Sequence, residues 1–417
     1  MKSLILKLSV SALLVIAVTA VSGVSAKPKC ILETGGSDIY YTWLKSCISA
    51  IRRDIPTHTA SAQEAAQLFV KECRDIGAWG DSVFVSEFTS RAGGIMPVQS
   101  VTPQSTNMIV LMTLRESNIS ADLDQASQFA KQGNKVIVIA RKSLLSKAKA
   151  LSSSVDLIDN QAAPNGGLIA VNGKWQVPTD PTASIACLWT WTGEFVAACT
   201  RLGNTPPMWQ SIMVPGAAER NAKYAGRKFL DQCPPAVSAG KIGKEYLNAL
   251  EKTLAEVYTK DGATIKAAAK QASRAKTAGG NLYAAFMGHA LEVQLGCDFD
   301  PGVFKPIANA KLTSNDFVLS VGYDRVLSGE EWNFVSERAR EAGASVAWSF
   351  TSYKPAEVKS VRSNELYIDQ RWLLGDAVVS IPGYDVKILP SSGVIGEAIL
   401  WSITAEILQP EKECKGK

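Results

Sequence analysis

The chain has 417 residues, of which 46% are hydrophobic and 20% charged, and its 44 lysines and arginines face 39 aspartates and glutamates. A chain of this length suggests two domains and can bury a large core. Because the charge is nearly balanced and the basic residues are scattered, the composition argues against a nucleic-acid-binding surface.

Residues 1–26 have the pattern of a secretory signal peptide. Lys2 and Lys7 give a positive start, residues 8–26 carry no charge, and the stretch ends in Val24-Ser25-Ala26, which a signal peptidase accepts. An uncleaved anchor helix is the alternative, since roughly 19 uncharged residues nearly span a bilayer. Serine, threonine and glycine within the stretch favour cleavage. We therefore expect an exported protein, periplasmic or secreted, with no membrane span after cleavage.

All eight cysteines follow this segment. An even number in an exported chain permits disulfides, and the sequence leaves their pairing open. The sequence contains no CxxC motif or Cys/His cluster with the spacing of a zinc site. We expect neither a metal nor a cofactor.

The second half of the chain repeats the first with an offset of about 209 residues. Each copy is predicted to open with two helices, within 38–76 in the first copy and at 244–257 and 263–275 in the second. The predicted units are 38–232 and 244–410. A linker rich in proline and glycine joins them at 233–243.

Short apolar strands alternate with helices in both copies. The predicted strands are 82–86, 108–112, 135–140 and 155–158 in the first copy, and 281–286, 317–321, 345–350 and 365–368 in the second. The predicted helices that follow are 121–132 and 329–342, with long apolar closing helices at 184–202 and 393–408. Nearly apolar strands in this alternation predict an α/β fold with a parallel sheet covered on both faces in each copy.

Candidate ligand-binding residues follow the second predicted strand, because ligands bind beyond the carboxyl ends of the strands in open parallel sheets. In the first copy these are Thr113, Arg115 and Ser117, and the next helix is expected to begin at Ser120. The corresponding helix start in the second copy is Ser328. Backbone N–H groups at such starts attract anions such as phosphate, although ordinary N-caps are far commoner than phosphate sites and would explain both serines.

Candidate catalytic residues follow the first predicted strand. Gly288 and His289 occupy this place in the second copy and Glu87 in the first, with Glu116 behind it. A carboxylate or an imidazole can move the proton that aldose–ketose isomerisation transfers. The alternatives are structural, since Gly288 is also a typical turn residue and a lone histidine often fills a polar gap.

The chain resembles the SIS (sugar isomerase) domain proteins, in the subgroup with tandem domains. The helices at 244–275, followed by Gly279-Gly280-Asn281 and then Gly288-His289, look like the opening of such a domain. Residues 375–396, which include Ser391 and Ser392, look like its run into the last helix. Asn204–Trp209 and the strand-helix-strand at 108–140 also match.

The resemblance implies two tandem Rossmann-like, three-layer αβα domains with parallel sheets, and a carbohydrate ligand, either a phosphosugar or an amino sugar. Strand ends and resemblance together predict a site with Glu87 and His289 as catalytic residues and, as ligand-binding residues, Thr113, Arg115, Ser117, Ser120, Gly288, Ser328, Ser391 and Ser392. This sequence departs from the family's Ser-x-Ser-Gly-x-Thr loop, most clearly at Tyr323-Asp324 in the second copy.

Two functions are compatible with this pattern. One is a sugar or sugar-phosphate isomerase, and the other is a binding or scaffold protein that has lost the chemistry. The expected partner is a small carbohydrate derivative. Because SIS domains often act in pairs, the two copies are expected to form an internal pseudo-dimer, and a homo-oligomer stays open.

Overall fold

The computed structural model describes residues 34–149, 151–287, 295–322, 338–351 and 361–410. The predicted signal peptide and the candidates Gly288, His289 and Ser328 lie outside these residues. Within the described ranges, none of the helices combines the length and apolar character that a membrane span needs.

The first half alternates helices and strands. Its helices are α1 (Gly36–Arg53), α2 (Ile55–Lys71), α3 (Ser82–Ser90), α4 (Ile119–Lys131), α5 (Lys142–Leu145), α6 (Asp180–Arg201) and α7 (Ala217–Tyr224). Its strands are β1 (Asp75–Trp79), β2 (Met108–Thr113), β3 (Lys135–Ala140), β4 (Val155–Asp159), β5 (Gly167–Val171) and β6 (Lys174–Pro178).

The second half follows the same order. Its long helices are α8 (Lys241–Thr277) and α9 (Ser392–Leu408), and residues 338–342 are also helical. Its strands are β7 (Leu282–Met287), β8 (Lys305–Pro306), β9 (Phe317–Gly322), β10 (Ser345–Phe350), β11 (Glu365–Asp369), β12 (Ala377–Val379) and β13 (Ile388–Pro390).

Both main sheets are parallel, which confirms the predicted α/β class. The strand order is β1-β2-β3-β4 in the first sheet and β11-β10-β9-β7-β8 in the second. The antiparallel pairs β5–β6 and β12–β13 precede the closing helices α6 and α9. The sequence analysis did not anticipate these two hairpins.

The two sheets enclose one shared layer of helices. In β2, Ile109 and Leu111 belong to the central core, whereas Val110 packs with the outer face against α4. In β9, Leu319 belongs to the same central core and Val318 to a separate outer cluster. This alternation is the normal period of a strand. Each sheet therefore lies between an outer layer and a central layer that α1, α2, α6, α8 and α9 build together.

The strand predicted at 82–86 is wrong, since these residues form α3. The β-branched residues Val83 and Val85 favour a strand by propensity. However, the Asp81 carboxylate accepts hydrogen bonds from the backbone N–H groups of Val83 and Phe84, at 2.9 and 3.3 Å, and so caps a helix. The first strand lies earlier, at Asp75–Trp79.

The helix pair predicted for the second copy is also wrong, because α8 is continuous. In the first copy Pro56 lies in the first turn of α2, where its missing N–H is harmless, and the chain breaks between α1 and α2. No proline occurs in α8, and the helix passes through Gly262. It begins at Lys241, inside the predicted linker, and the unit boundaries at 38–232 and 244–410 stay a prediction.

Two buried glutamates connect the closing helix of each half to the opening helix of the other. Glu194 of α6 accepts hydrogen bonds from the backbone N–H groups of Gly240 and Gly243, at 2.6 and 2.9 Å, where α8 begins. Glu406 of α9 accepts from the backbone N–H and the hydroxyl of Ser37, at 3.0 and 2.7 Å, in the first turn of α1. Each carboxylate satisfies N–H groups that a helix start leaves unpaired.

We predict that Glu194→Ala lowers the free energy of unfolding by about 1–3 kcal/mol, because the buried N–H of Gly243, the half-buried N–H of Gly240 and the Thr59 hydroxyl lose their acceptor. Glu194→Gln keeps a carbonyl oxygen and should lose less. Urea unfolding followed by circular dichroism measures both, with the exposed Glu219→Gln as the control. Wild-type stability in Glu194→Ala would contradict this role.

Candidate functional site

A cavity of about 300 Å³ opens at the carboxyl edge of the first sheet. Its wall comes from the segments after β1, β2 and β3, from the first turn of α6, and from residues 295–298 of the second half. Ligands bind at this edge in open parallel sheets. The volume lies at the low end for ligand pockets and suits a molecule of about monosaccharide size.

The turn after β1 packs directly against the end of β2. Gly80 has a φ of 115°, and a Cβ atom there would lie 2.6 Å from Thr113 Oγ1, so only glycine permits this approach. The backbone N–H of Asp81 donates to Thr113 Oγ1 at 2.9 Å. Thr113, a predicted ligand-binding residue, lines the cavity and also holds the turn that brings Asp81 into its wall.

Arg115 lines the cavity and is paired with Asp122 of α4. Its backbone N–H and Nε donate to Asp122 Oδ2 at 2.8 and 3.1 Å, and Nη2 donates to Oδ1 at 2.5 Å. This two-pronged contact raises the pKa of Arg115. The role predicted for Arg115 as an anion ligand therefore competes with an ion pair inside the protein.

The loop after β2 holds an anion from the same chain. The backbone N–H of Ser117 donates to Oδ2 of Asp298 at 3.1 Å, and both residues line the cavity. A carboxylate of the second half thus lies where the sequence predicts a ligand anion. Ser120 is not the N-cap that was predicted: α4 begins at Ile119 after a 3₁₀ turn, so Ser120 is its exposed second residue.

Arg141, which follows β3, is buried among carboxylates. Its Nη1 donates to Asp180 Oδ2 at 2.5 Å, its Nη2 donates to Glu116, and its guanidinium carbon lies 5.3 Å from the ring centre of Phe299. Burial raises the pKa of Asp180, although the ion pair with Arg141 opposes this effect. The second arginine of the wall is therefore engaged like the first.

Among the described residues of the cavity wall, carboxyl groups outnumber guanidinium groups. The charged residues are Asp81, Glu116, Asp180, Asp298, Arg115 and Arg141. Such a wall offers acceptors to hydroxyl and ammonium groups and repels a phosphate. Across the described part of the chain, no group of three or more His, Cys, Asp or Glu residues could hold a metal ion.

Glu87, Ser391 and Ser392 lie together in a separate, buried cluster. Arg91 is its centre, with Nη2 at 2.9 Å from Asp376 Oδ2 and Nε at 3.4 Å from Glu87 Oε1. Asp376 Oδ1 accepts from the backbone N–H groups of Ser391 and Ser392, at 3.1 and 2.9 Å, where α9 begins. Other residues form the cavity wall, so the structure divides the predicted site between two places.

Several cavity residues were missed by the sequence analysis. Arg141 carried a usable signal, because it directly follows a correctly predicted strand, as the segment from Thr113 does. Asp81 was missed because the first strand was assigned too late. Asp298 carries no local signal, since it reaches the cavity from the other half. The roles of Gly288, His289 and Ser328 stay predictions.

No protein-family model matches the sequence, and no curated protein matches it. Solved structures do. One protein of Silicibacter pomeroyi, named as a phosphosugar isomerase, matches at 10% identity and a TM-score of 0.47, covering 89% of this chain and 97% of that one. The C-terminal domain of glucosamine-fructose-6-phosphate aminotransferase from Francisella tularensis matches at 10% identity and a TM-score of 0.47, covering 89% of this chain and 96% of that one.

Tagatose-6-phosphate ketose/aldose isomerase from Escherichia coli matches at 10% identity and a TM-score of 0.40, covering 89% of each chain. These proteins belong to the class that the sequence resembles. The α/β assignment rests on the two parallel sheets themselves. Fold and cavity define an α/β protein with a cavity at the carboxyl edge of its first sheet.

The buried cluster predicts a pH dependence of stability. Burial raises the pKa of Glu87 and of Asp376, so the folded state binds these protons more tightly than the unfolded state. The contribution of these two groups to the free energy of unfolding is therefore largest at acidic pH. It falls as the pH rises from the ordinary pKa of a carboxyl group through the raised pKa values of the folded state. Glu87→Gln should flatten this fall, by about 1.4 kcal/mol per unit of raised pKa.

Urea unfolding between about pH 4 and 8 measures this slope. Glu64→Gln, which removes an exposed carboxylate, is the matched control. A slope in Glu87→Gln equal to that of the wild type would contradict the assignment.

Proposed function

We propose that the protein binds a small carbohydrate derivative in the cavity of the first sheet. The observation that carries this proposal is the wall rich in carboxylates, because charged oxygens are the strongest acceptors for the hydroxyl groups of a sugar. Apolar side chains provide surface for its C–H faces, namely Phe84, Leu114, Pro181 and Leu295. Residues 295–298 would contribute to the site as part of an internal pseudo-dimer.

An isomerase is the second candidate, and Asp81 is the observation in its favour. Aldose–ketose isomerisation needs a side chain that moves a proton between two carbons, and the pKa of this side chain should lie near the working pH. Asp81 lines the cavity, and burial raises its pKa. Its Oδ1 already accepts two backbone N–H groups of α3, which favours binding over catalysis. Glu87, the predicted proton carrier, is held by Arg91 instead.

Binding is tested by calorimetry on residues 27–417 with glucose, glucosamine, N-acetylglucosamine and the 6-phosphates of glucose and glucosamine. We expect at least one monosaccharide to bind with a Kd between about 1 μM and 1 mM. Asp180→Asn should weaken its binding about tenfold, because a charged acceptor is lost. Asp75→Asn, at the opposite edge of the sheet, is the control.

The absence of binding by every sugar would contradict the proposed function. Conversion of the bound aldose to a ketose, followed by NMR in the same samples, would favour the isomerase.

We also propose export, on the pattern of residues 1–26. A sugar without a phosphate suits this location, since sugar phosphates are mainly cytoplasmic metabolites. Expressed in a bacterium, the chain should appear in the periplasm with Lys27 as its first residue, which N-terminal sequencing measures. A chain that still begins at Met1 in the membrane fraction would support the anchor helix instead.

A further inference from the structure

We infer that Asp298 determines specificity, so that the cavity selects an unphosphorylated amino sugar over its phosphate ester. This inference rests on the proposed function and names the ligand class of the same cavity. Three observations carry it: the contact of Asp298 with the loop after β2, the pairing of both arginines, and the place of Asp81, Asp180 and Asp298 in the wall of one cavity.

The contact with the loop occupies the donor that a phosphate would need. The Ser117 backbone N–H donates to Asp298 Oδ2 at 3.1 Å. The segment that carries Asp298 is held in place by Asp300, whose carboxylate accepts from the backbone N–H groups of Gly296 and Gly302 at 2.5 and 2.8 Å. A phosphate at this loop would have to displace the Asp298 carboxylate, which the surrounding segment holds in place, or lie directly against its negative charge.

The two guanidinium groups that the described part of the wall contains already have carboxylate partners. Arg115 contacts both oxygens of Asp122, and Arg141 contacts Asp180 and Glu116. Binding a phosphate through Arg115 would leave the buried Asp122 without its partner, and binding through Arg141 would do the same to the half-buried Asp180. The charge that usually recognises a phosphate is thus committed to the protein itself.

A ligand ammonium group would meet the opposite situation. Burial raises the pKa of Asp81 and of Asp180, and the negative charge of Asp298 raises both further. Asp298 therefore interacts electrostatically with each of the other two carboxylates in the cavity wall. A cation among them would relieve their repulsion and form charge-assisted hydrogen bonds. An amino sugar combines this cation with hydroxyl donors.

The test uses calorimetry with glucosamine, glucosamine 6-phosphate and N-acetylglucosamine. We expect the wild type to bind glucosamine at least about tenfold more tightly than its 6-phosphate. Asp298→Asn keeps an oxygen for the Ser117 N–H and removes the charge. This variant should bind glucosamine about tenfold more weakly and the 6-phosphate more tightly than the wild type does. Its affinity for the uncharged N-acetylglucosamine should change by less than about twofold.

Asp298→Ser is a second neutral variant. Asp298→Glu keeps the charge and should keep the preference for glucosamine over its 6-phosphate. Asp75→Asn is the matched control. Circular dichroism verifies that each variant is folded. Equal affinity of the wild type for glucosamine and its 6-phosphate, or the same affinity ratio in a folded neutral variant, would overturn the inference while the proposed function stands. If no sugar binds at all, the proposed function fails first.

Discussion

Two carboxylates buried at helix starts hold the halves of this chain together. Glu194 and Glu406 lie on the closing helices, yet they accept hydrogen bonds from N–H groups where the opening helix of the opposite half begins. Neither half can therefore complete its helical layer alone. The same helix α6 begins at the cavity, with Asp180 about 21 Å along its axis from Glu194. One helix, α6, therefore contributes both to the contact between the halves, through Glu194, and to the cavity wall, through Asp180.

Much of the fold could be predicted, because parallel strands buried on both faces are easy to recognise. The bounds predicted for β3 and β10 agree with the structure, since both strands are apolar runs between polar loops. The prediction failed at α3, where one capping carboxylate outweighed the β propensity of Val83 and Val85. It also failed at α8, because the first copy has Pro56 where its second helix begins and α8 contains no proline. A comparison based on the repeat overlooks this difference.

The candidate site could be predicted only where a side chain follows its own strand. Thr113, Arg115 and Ser117 were located in this way. Their partners were not, because the pairing of Arg115 with Asp122 and of Ser117 with Asp298 depends on how separate segments pack. These partners change the chemistry, since a loop that looks like an anion site in the sequence already holds an anion in the structure.

The origin of residues 295–298 has a consequence for how the cavity behaves on dilution. A wall shared between separate subunits opens when the subunits dissociate at low concentration. Here the segment belongs to the same polypeptide as the rest of the wall, so its local concentration is fixed by the covalent connection. The wall of the cavity should therefore stay complete in a single molecule, however far from its neighbours that molecule diffuses.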